Sequence, residues 1–474
     1  MFHGHFKTVY AITVYVSLAA FDNIVVGLFP PLFQSIAHAM AVKVSAMGVI
    51  SAVNILATAF ASLFWGYLAG KYNRKKLIIG GTLIWVVGVF LTAMSHSFIE
   101  LIVYQIITGI GLGCIASIGF SALTDYVPYR SRGAILSLWG MSQGLGGIFG
   151  ALIASLISTL SNWRLPFEIL SGIGLLLIFF YFFVEEPKFG NAEPELQALM
   201  RNGRAYRYRI TMQQVRAMLG KRSNLLLSLQ GFFMNVATGS LIWLPTLYIS
   251  KLEHTGFSSS KAIIVAAFLY GIFQIGGMLS SLFGYVGDVL QRRSYKARAL
   301  LTAAFIGLTL PLYILLYVFP IHHLRLPATD NFLFLLLGVI NQIFTNPWMF
   351  GLFLIGLLAS AAQSANTPNW LALITDVNLP EHRGAVFSIA NMANSFGRTV
   401  GNLGMSAVLA VVSLYLPDPA DYVLTMAFLQ LPLIPSALCY VLMAKYNVRD
   451  TLFVKRMLAR RGRNALRRQG PANK

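Results

Sequence analysis

The sequence predicts an all-α membrane protein with twelve transmembrane helices in two pseudo-repeated six-helix bundles. Four observations carry this. Hydrophobic residues make up 57% of the chain and charged residues only 11%, against about 25% charged in an ordinary soluble domain. The apolar residues fall in runs of roughly 20 or more, the length with which a helix crosses about 30 Å of hydrocarbon. The period-two alternation of a membrane β-barrel is absent. Finally, two loop motifs recur at matching places in the two halves of the chain.

The runs, divided at Gly, Pro and charged breaks, place spans at 8–33, 45–69, 77–95, 98–123, 134–159, 165–184, 223–250, 261–287, 299–320, 346–373, 384–413 and 420–444. Met1 to Lys7 leads into the first run without a small-residue cleavage site, so this run is expected to stay as a membrane span. Asn331 to Thr345 is apolar but short, and is expected to be an interfacial or re-entrant piece. One bundle then covers 1–184 and the other 223–444. A basic linker, 185–222, joins them, and a basic tail, 445–474, follows.

The net charge of +20 is unevenly distributed. With the first span starting in the cytoplasm, 30 of the 36 Lys and Arg lie in cytoplasmic segments. Lys43, Arg164, Lys251, Lys261 and Arg325 lie outside, and Arg398 lies within a span. This bias predicts a multi-pass protein of the plasma (inner) membrane with both termini cytoplasmic. It also explains the basicity through anionic lipid headgroups at the cytoplasmic face, with no nucleic-acid partner. Arg201, Arg204, Arg207, Arg209 and Arg216 of the linker, and Arg460, Arg461, Arg463, Arg467 and Arg468 of the tail, are prominent contributors.

The remaining composition argues against catalysis. Cys114 and Cys439 lie in apolar segments and read as small buried hydrophobes, without a disulfide framework or metal set. His322 and His323 form a loop pair with no partners at ligand spacing. No Gly-rich phosphate loop followed by Lys-Ser/Thr is present, so nucleotide hydrolysis is not the energy source. No enzyme and no cofactor is expected. A monomer acting on a small-molecule substrate and protons is.

The repeat is specific. Gly66, Tyr67, Leu68, Ala69 and Gly70, ending the second span, match Gly284, Tyr285, Val286, Gly287 and Asp288, ending the eighth, at an offset of 218 residues. Asp125, Arg132, Gly133 and Ala134 match Asp376, Arg383, Gly384 and Ala385 at an offset of 251. Glycines let helices approach closely, and Asp and Arg at a membrane rim can pair with each other or with helix ends. Gly66, Gly70, Arg74, Asp125, Arg132, Gly284, Asp288, Asp376 and Arg383 are therefore candidates for a gating clasp that breaks and reforms as the halves rock.

Twelve spans, a long central loop and these paired motifs resemble the major facilitator superfamily. Its loop pattern, G-x-L-x-D-R-x-G-R-[KR], is kept at Gly66, Leu68, Arg74 and Lys75, while Gly70 and Lys71 replace its Asp and Arg. Asp288 keeps the acid in the second half. Trp163-Arg164 with Phe167, Glu185 to Lys188, Pro380 and Arg383-Gly384 resemble the branch of sugar and organic-metabolite proton symporters. An acidic residue in the first span is similar, more distantly, to Spinster-type lipid transporters. Gly140, Gly144, Gly146, Gly147 and Gly150 resemble the drug-antiporter motif without its proline, and read as close helix packing. The resemblance implies a secondary transporter working by alternating access, with proton-coupled symport of a small organic solute, anions included, as the first expectation. Proton-coupled efflux of amphipathic drugs or lipids is the alternative.

Two charges stand out within spans. Asp22 lies near the middle of the first and Arg398 near the middle of the eleventh. An ionised group there costs roughly 2.5–3.5 kcal/mol on the translocon scale, so each is expected to meet water, a partner or both. Arg398 corresponds to Gly147 at the offset of 251, and Pro30 aligned with Pro245 puts Ala237 near the place of Asp22. Neither charge is thus required by the repeated scaffold. Burial favours a neutral carboxyl and a nearby cation a charged one, which makes Asp22 the candidate proton site. Arg398 is expected to attract an anionic substrate group, or to pair with Asp22 between substrates. Glu168 beside Arg164 is expected to be a local ion pair.

Asn54, Gln105, Asn235, Gln274, Gln363, Asn366, Asn391 and Asn394 complete the polar candidates for a substrate cavity. Gln363 with Asn366, and Asn391, Asn394 and Arg398, share helix faces and rank first. Tyr15, Phe21, Trp139, Trp243 and Trp370 are candidate stacking surfaces.

Overall fold

The structure, a computed structural model, describes residues 2–69, 71–119, 122–123, 132–160, 162–185, 220–321, 323–329 and 331–468. Among these there are helices and short connections, with no strand. Ten helical segments are long and apolar enough to cross a membrane: Lys7–Ala39, Val44–Ala69, Arg74–Ala93, Phe98–Gly119, Leu165–Phe182, Arg222–His254, Ser259–Arg293, Ala297–Val318, Pro347–Val377 and Ala420–Met457. The long helices Arg132–Leu160 and Pro380–Val412 stand fifth and eleventh in order. Together they make the twelve, called spans 1 to 12 below. The chain is an integral multi-pass membrane protein.

Local chemistry sets the breaks. Side chains of Asn73, Ser97, Ser258 and Asn346 accept from backbone N–H groups at the starts of spans 3, 4, 8 and 10. They satisfy donors that a helix start otherwise leaves bare. Span 7 tightens into a 3-10 turn at Ser240–Trp243, just before Pro245, and span 8 does so at Gly276–Leu279. Span 10 breaks at Ala365, three residues before Pro368. Irregular backbone at such depth is tolerated where it is buried in protein.

Phe332–Thr345 forms a separate short helix beside span 10. It buries Leu335, Val339 and Ile343 and leaves Phe334, Leu337 and Phe344 exposed. Span 12 does not end where its apolar run ends: helix Leu433–Arg468 continues into the basic tail. Hydropathy marks where hydrocarbon stops, whereas a helix persists while its next turn finds partners. Here Asn447 donates to Tyr295 O at 2.5 Å, Lys455 to the Tyr295 hydroxyl at 2.8 Å, and Arg222 to the Tyr446 hydroxyl at 2.9 Å.

Two glycine seams position everything central. A Cβ on Gly146 would lie 2.8 Å from Ala20 O, and one on Gly150 2.3 Å from Ile24 O, so spans 1 and 5 touch backbone to backbone. In the second half, a Cβ on Gly397 would lie 2.2 Å from Phe232 O, and one on Gly401 2.2 Å from Val236 O. Gly27 abuts Gly147 O as Gly239 abuts Arg398 O. Spans 5 and 11 keep the offset of 251, and spans 1 and 7 take an offset of 212. That register corrects the proline-based alignment. The place of Asp22 is taken by buried Met234 and not by Ala237, since the 3-10 turn at Ser240–Trp243 interrupts the helix between that level and Pro245.

A side chain in a seam has nowhere to go. Gly401→Leu is expected to destabilise the protein by about 1–3 kcal/mol or more through overpacking. Gly66→Ala, where a Cβ meets nothing within 4 Å, is expected to be neutral. Melting temperatures in detergent check both.

Candidate functional site

The seams bring Arg398 on span 11 against span 7. Arg398 Nη2 donates to Asn235 Oδ1 at 3.3 Å, and Asn235 Nδ2 donates to Gly231 O at 2.9 Å. The amide is thus oriented, with its nitrogen tied to its own helix and its oxygen facing the guanidinium. Tyr270 of span 8 stands within electrostatic reach of Arg398. The Arg398 side chain is exposed although it sits mid-span, and among the described residues no carboxylate pairs with it. Asn394, one turn earlier, lays its carboxamide over Gly231 Cα, where even a Cβ would fall 1.9 Å from Asn394 Oδ1. Asn391 is exposed on the same helix. Of the sequence candidates, the structure therefore gathers Arg398, Asn235, Asn394 and Asn391 along one contact between spans 7 and 11.

The space around Arg398 lies between the halves. Span 8 meets span 5 where a Cβ on Gly271 would touch Ile148 Cγ2 at 3.3 Å, and span 2 meets span 11 where Phe60 and Phe396 stack edge to face at 5.8 Å. At the end of the spans remote from the N-terminus, the halves are closed upon each other. Thr246 Oγ1 donates to Pro30 O at 3.2 Å, Ser406 Oγ to Ser45 O at 2.5 Å, and the rings of Phe33 and Trp243 sit 4.8 Å apart. At the opposite, basic end, Lys7, Lys75 and Lys221 join segments of their own halves. Lys7 pairs with Glu185 at 2.6 Å, Lys75 donates to Phe182 O and Val184 O, and Lys221 lies 3.8 Å from Asp450. Burial pulls Lys221 below the usual lysine range, against the opposing pull of Asp450.

Several sequence candidates fall elsewhere. Asp22 does not face Arg398 or pair with it. It is 8% exposed, on the stripe of span 1 that carries Tyr15 and Leu18, with Cys114 of span 4 in electrostatic reach. Its Oδ1 has no hydrogen-bond partner. The helical period explains this, since residue 22 lies about 100° around the helix from residue 23, which faces span 5. One turn along, Val25, Phe29, Ile50, Asn54, Gln105 and Ile242 wall a cavity of about 30 Å3, room for a water or two. Asn54 donates to Gln105 Oε1 at 3.0 Å and Gln105 to Thr92 Oγ1 at 2.9 Å. This polar chain ties spans 2, 3 and 4 together.

Gln363 and Asn366 are also committed inside the second half. Gln363 Oε1 accepts from the Tyr313 hydroxyl, and Asn366 Oδ1 accepts from Gln230 Nε2 at 3.0 Å and the Tyr440 hydroxyl at 2.8 Å. They knit helices. Gln274 interacts with the Tyr270 hydroxyl one turn away. Tyr15 bonds Tyr181, Trp370 donates to Leu227 O, and Trp243 is fully buried, so none of the three offers a free stacking face. Phe21 is partly buried, and the Trp139 side chain lies outside the described residues. Arg164 donates to Ser95 O at 2.8 Å and covers Trp163 at 4.3 Å instead of pairing with Glu168.

At the basic rim, Arg298 pairs with Asp288 and lies 3.9 Å from Asp376, which also accepts from Gln291 at 3.2 Å. Arg298 was not singled out in the sequence, although it opens span 9 opposite both acids. Gly284 packs on Pro368, whereas Gly66 abuts nothing. Arg74 is buried. Gly70, Asp125, the side chains of Arg132 and Arg383, and the linker arginines Arg201 to Arg216 lie outside the described residues.

Comparison with known proteins follows the same lines. The sequence pattern of the Major Facilitator Superfamily matches residues 15–352. A probable sulfoacetate transporter of Cupriavidus necator is 25% identical over 304 residues, covering 61% of this chain and 67% of the relative. Multidrug resistance protein 3 of Bacillus subtilis is 30% identical over 116 residues, covering 24% of this chain; the chain spans 23% of that relative's length. The crystal structure of a bacterial homologue of the human lysosomal transporter Spinster, inward-facing and unoccupied, superposes with a TM-score of 0.71 at 17% identity, covering 94% of this chain and 98% of the other.

If Asn366 is a helix tie, Asn366→Leu leaves Gln230 and Tyr440 short of an acceptor, at about 1–3 kcal/mol for each unsatisfied group. The expected outcome is a lower melting temperature with unchanged selectivity among solutes, read by thermal unfolding beside competition uptake assays.

Proposed function

Because the chain belongs to the Major Facilitator Superfamily, we propose that it is a secondary carrier moving a small organic anion across the plasma membrane by alternating access, coupled to protons. One observation carries the reading: a guanidinium stands exposed at mid-span between the two halves, oriented by Asn235 and unpaired with any described carboxylate. A permanent cation at such depth is costly unless water or an anion meets it, and guanidinium suits carboxylate and sulfonate geometry. The relative named for sulfoacetate is in keeping with an anionic solute.

The basic end is assigned to the cytoplasm by the Lys and Arg bias. The chamber then opens inward, closed by the contacts around Pro30, Ser45 and Trp243. Asp22, a lone carboxyl buried in the first half beside span 4, is the proton site of this reading, since burial favours its neutral form and access of water its charged one. The rim clasp of Asp288, Arg298 and Asp376 holds spans 8, 9 and 10 together through that motion.

Uptake into proteoliposomes of a panel containing acetate, ethanesulfonate, isethionate, sulfoacetate, benzoate and 4-hydroxybenzoate tests the proposal. Arg398→Ala is expected to lower anion uptake by about 100-fold, the scale of a lost charge-assisted contact, with the melting temperature kept. Equal uptake by that variant and the parent would discard the anion site. Asp22→Asn is expected to abolish accumulation driven by a pH gradient while anion exchange persists. A normal pH response in that variant would remove Asp22 from the coupling.

A further inference from the structure

The two seams share their glycine contacts and differ at the place of Arg398. Asn23 Nδ2 donates to Ala19 O at 2.7 Å as Asn235 Nδ2 donates to Gly231 O at 2.9 Å, four residues back in each case. The offset of 212 relates both donors and both acceptors. In the second half, the residue opposite the amide is Arg398. In the first half, it is Gly147.

Glycine at 147 is not required by packing. Cβ atoms on Gly27, Gly146 and Gly150 would each fall within 3 Å of backbone or side-chain atoms, yet one on Gly147 meets nothing within 4 Å. The second seam carries an arginine at the equivalent place, so the close backbone approach tolerates a side chain there. That open space lies about 100° around span 5 from Gly146, which meets span 1, and from Ile148, which meets Gly271 on span 8. It is on the side away from exposed Leu145 and Phe149, so it faces the region between the halves. Tyr270, beside Gly271, is the residue within reach of Arg398. Asn23 is half-buried at its edge. With its nitrogen tied to Ala19 O, it presents Oδ1, which accepts no hydrogen bond from a described residue.

We propose that Gly147 and Asn23 form a second subsite, across the chamber from Arg398, which receives the end of the substrate remote from its anionic group. Since Asn23 offers an acceptor, that end bears a donor: a hydroxyl, an amide or a ring N–H. The substrate class narrows to small carboxylates or sulfonates with a donor at the far end, bound by one half at the anion and by the other at the donor. A ligand so held bridges the halves. This rests on the anion reading of Arg398 above.

The test compares matched probes that differ by one hydroxyl, 4-hydroxybenzoate against benzoate and isethionate against ethanesulfonate. Uptake is measured in proteoliposomes for the parent, Gly147→Leu, Gly147→Ala and Asn23→Leu. The parent is expected to favour the hydroxylated member of at least one pair by about tenfold, the order of one hydrogen bond. Gly147→Leu and Asn23→Leu are expected to erase that preference while still carrying the simpler anion. An unchanged preference in both, with Arg398→Ala inactive, overturns the subsite and leaves the anion carrier standing. Absence of uptake of all four probes by the parent overturns both. If Gly147→Leu fails to reach the membrane, Asn23→Leu and Gly147→Ala decide by the same ratio.

Discussion

Close backbone contact along two glycine seams is the constraint from which the rest of the centre follows. Hydrocarbon gives helices no hydrophobic reason to associate, so approach depends on packing and on the absence of side chains in the way. Gly146 and Gly150 against span 1, and Gly397 and Gly401 against span 7, let carbonyl oxygens rest where Cβ atoms would otherwise stand. Once the helices are locked at that distance, the register is fixed to the residue. A one-residue slip would carry Asn235 away from Arg398 and bring a bulky neighbour into the seam. The position of Arg398 at mid-span thus follows from the glycine contacts on either side of it.

Much of this was legible in the sequence. Length, hydropathy and loop charge gave twelve spans, and the recurrence of Asp, Arg and Gly at the offset of 251 gave the relation between spans 5 and 11. Arg398 was legible because charge at mid-span is rare enough to need a reason. Orientation around a helix was not legible. Asp22 and Asn23 are neighbours in sequence, and nothing in composition says which faces span 5 and which faces span 4. Asn23 is the one that faces span 5, and the charge of its neighbour draws attention away from it in the sequence. Gly147 reads as packing in the sequence, because a glycine that is needed and a glycine that leaves room look alike there.

The polar residues illustrate the same limit from the other side. Gln363 and Asn366 share a helix face, as a pair of ligands would, but that face turns to Tyr313, Gln230 and Tyr440. Gln105 joins Asn54 and Thr92 across spans 2, 3 and 4. An amide in a helix bundle has two donors and an acceptor to satisfy, and neighbouring helices are the nearest partners. Each half therefore builds a rigid interior out of residue types that a sequence reading assigns to the chamber. In the proposed carrier, rigidity within the halves lets them move as bodies.

The contacts between the halves are of a different kind. At the closed end they comprise a hydrogen bond from Thr246, one from Ser406, the ring contact of Phe33 with Trp243, and the fit of Gly48 beneath Ser406 and Asn402. A hydrogen bond contributes about 0.5–1.5 kcal/mol net, and an aromatic pair a similar amount beyond its buried area. Breaking those polar and ring contacts costs a few kcal/mol, which is the scale a ligand supplies when it binds one arrangement about 100-fold more tightly than another. A solute held only by Arg398 and its neighbours binds one half and has little preference between arrangements of the two. Differential affinity arises when both halves touch the same molecule, so the coupling of occupancy to motion falls to whatever the first half presents opposite Arg398.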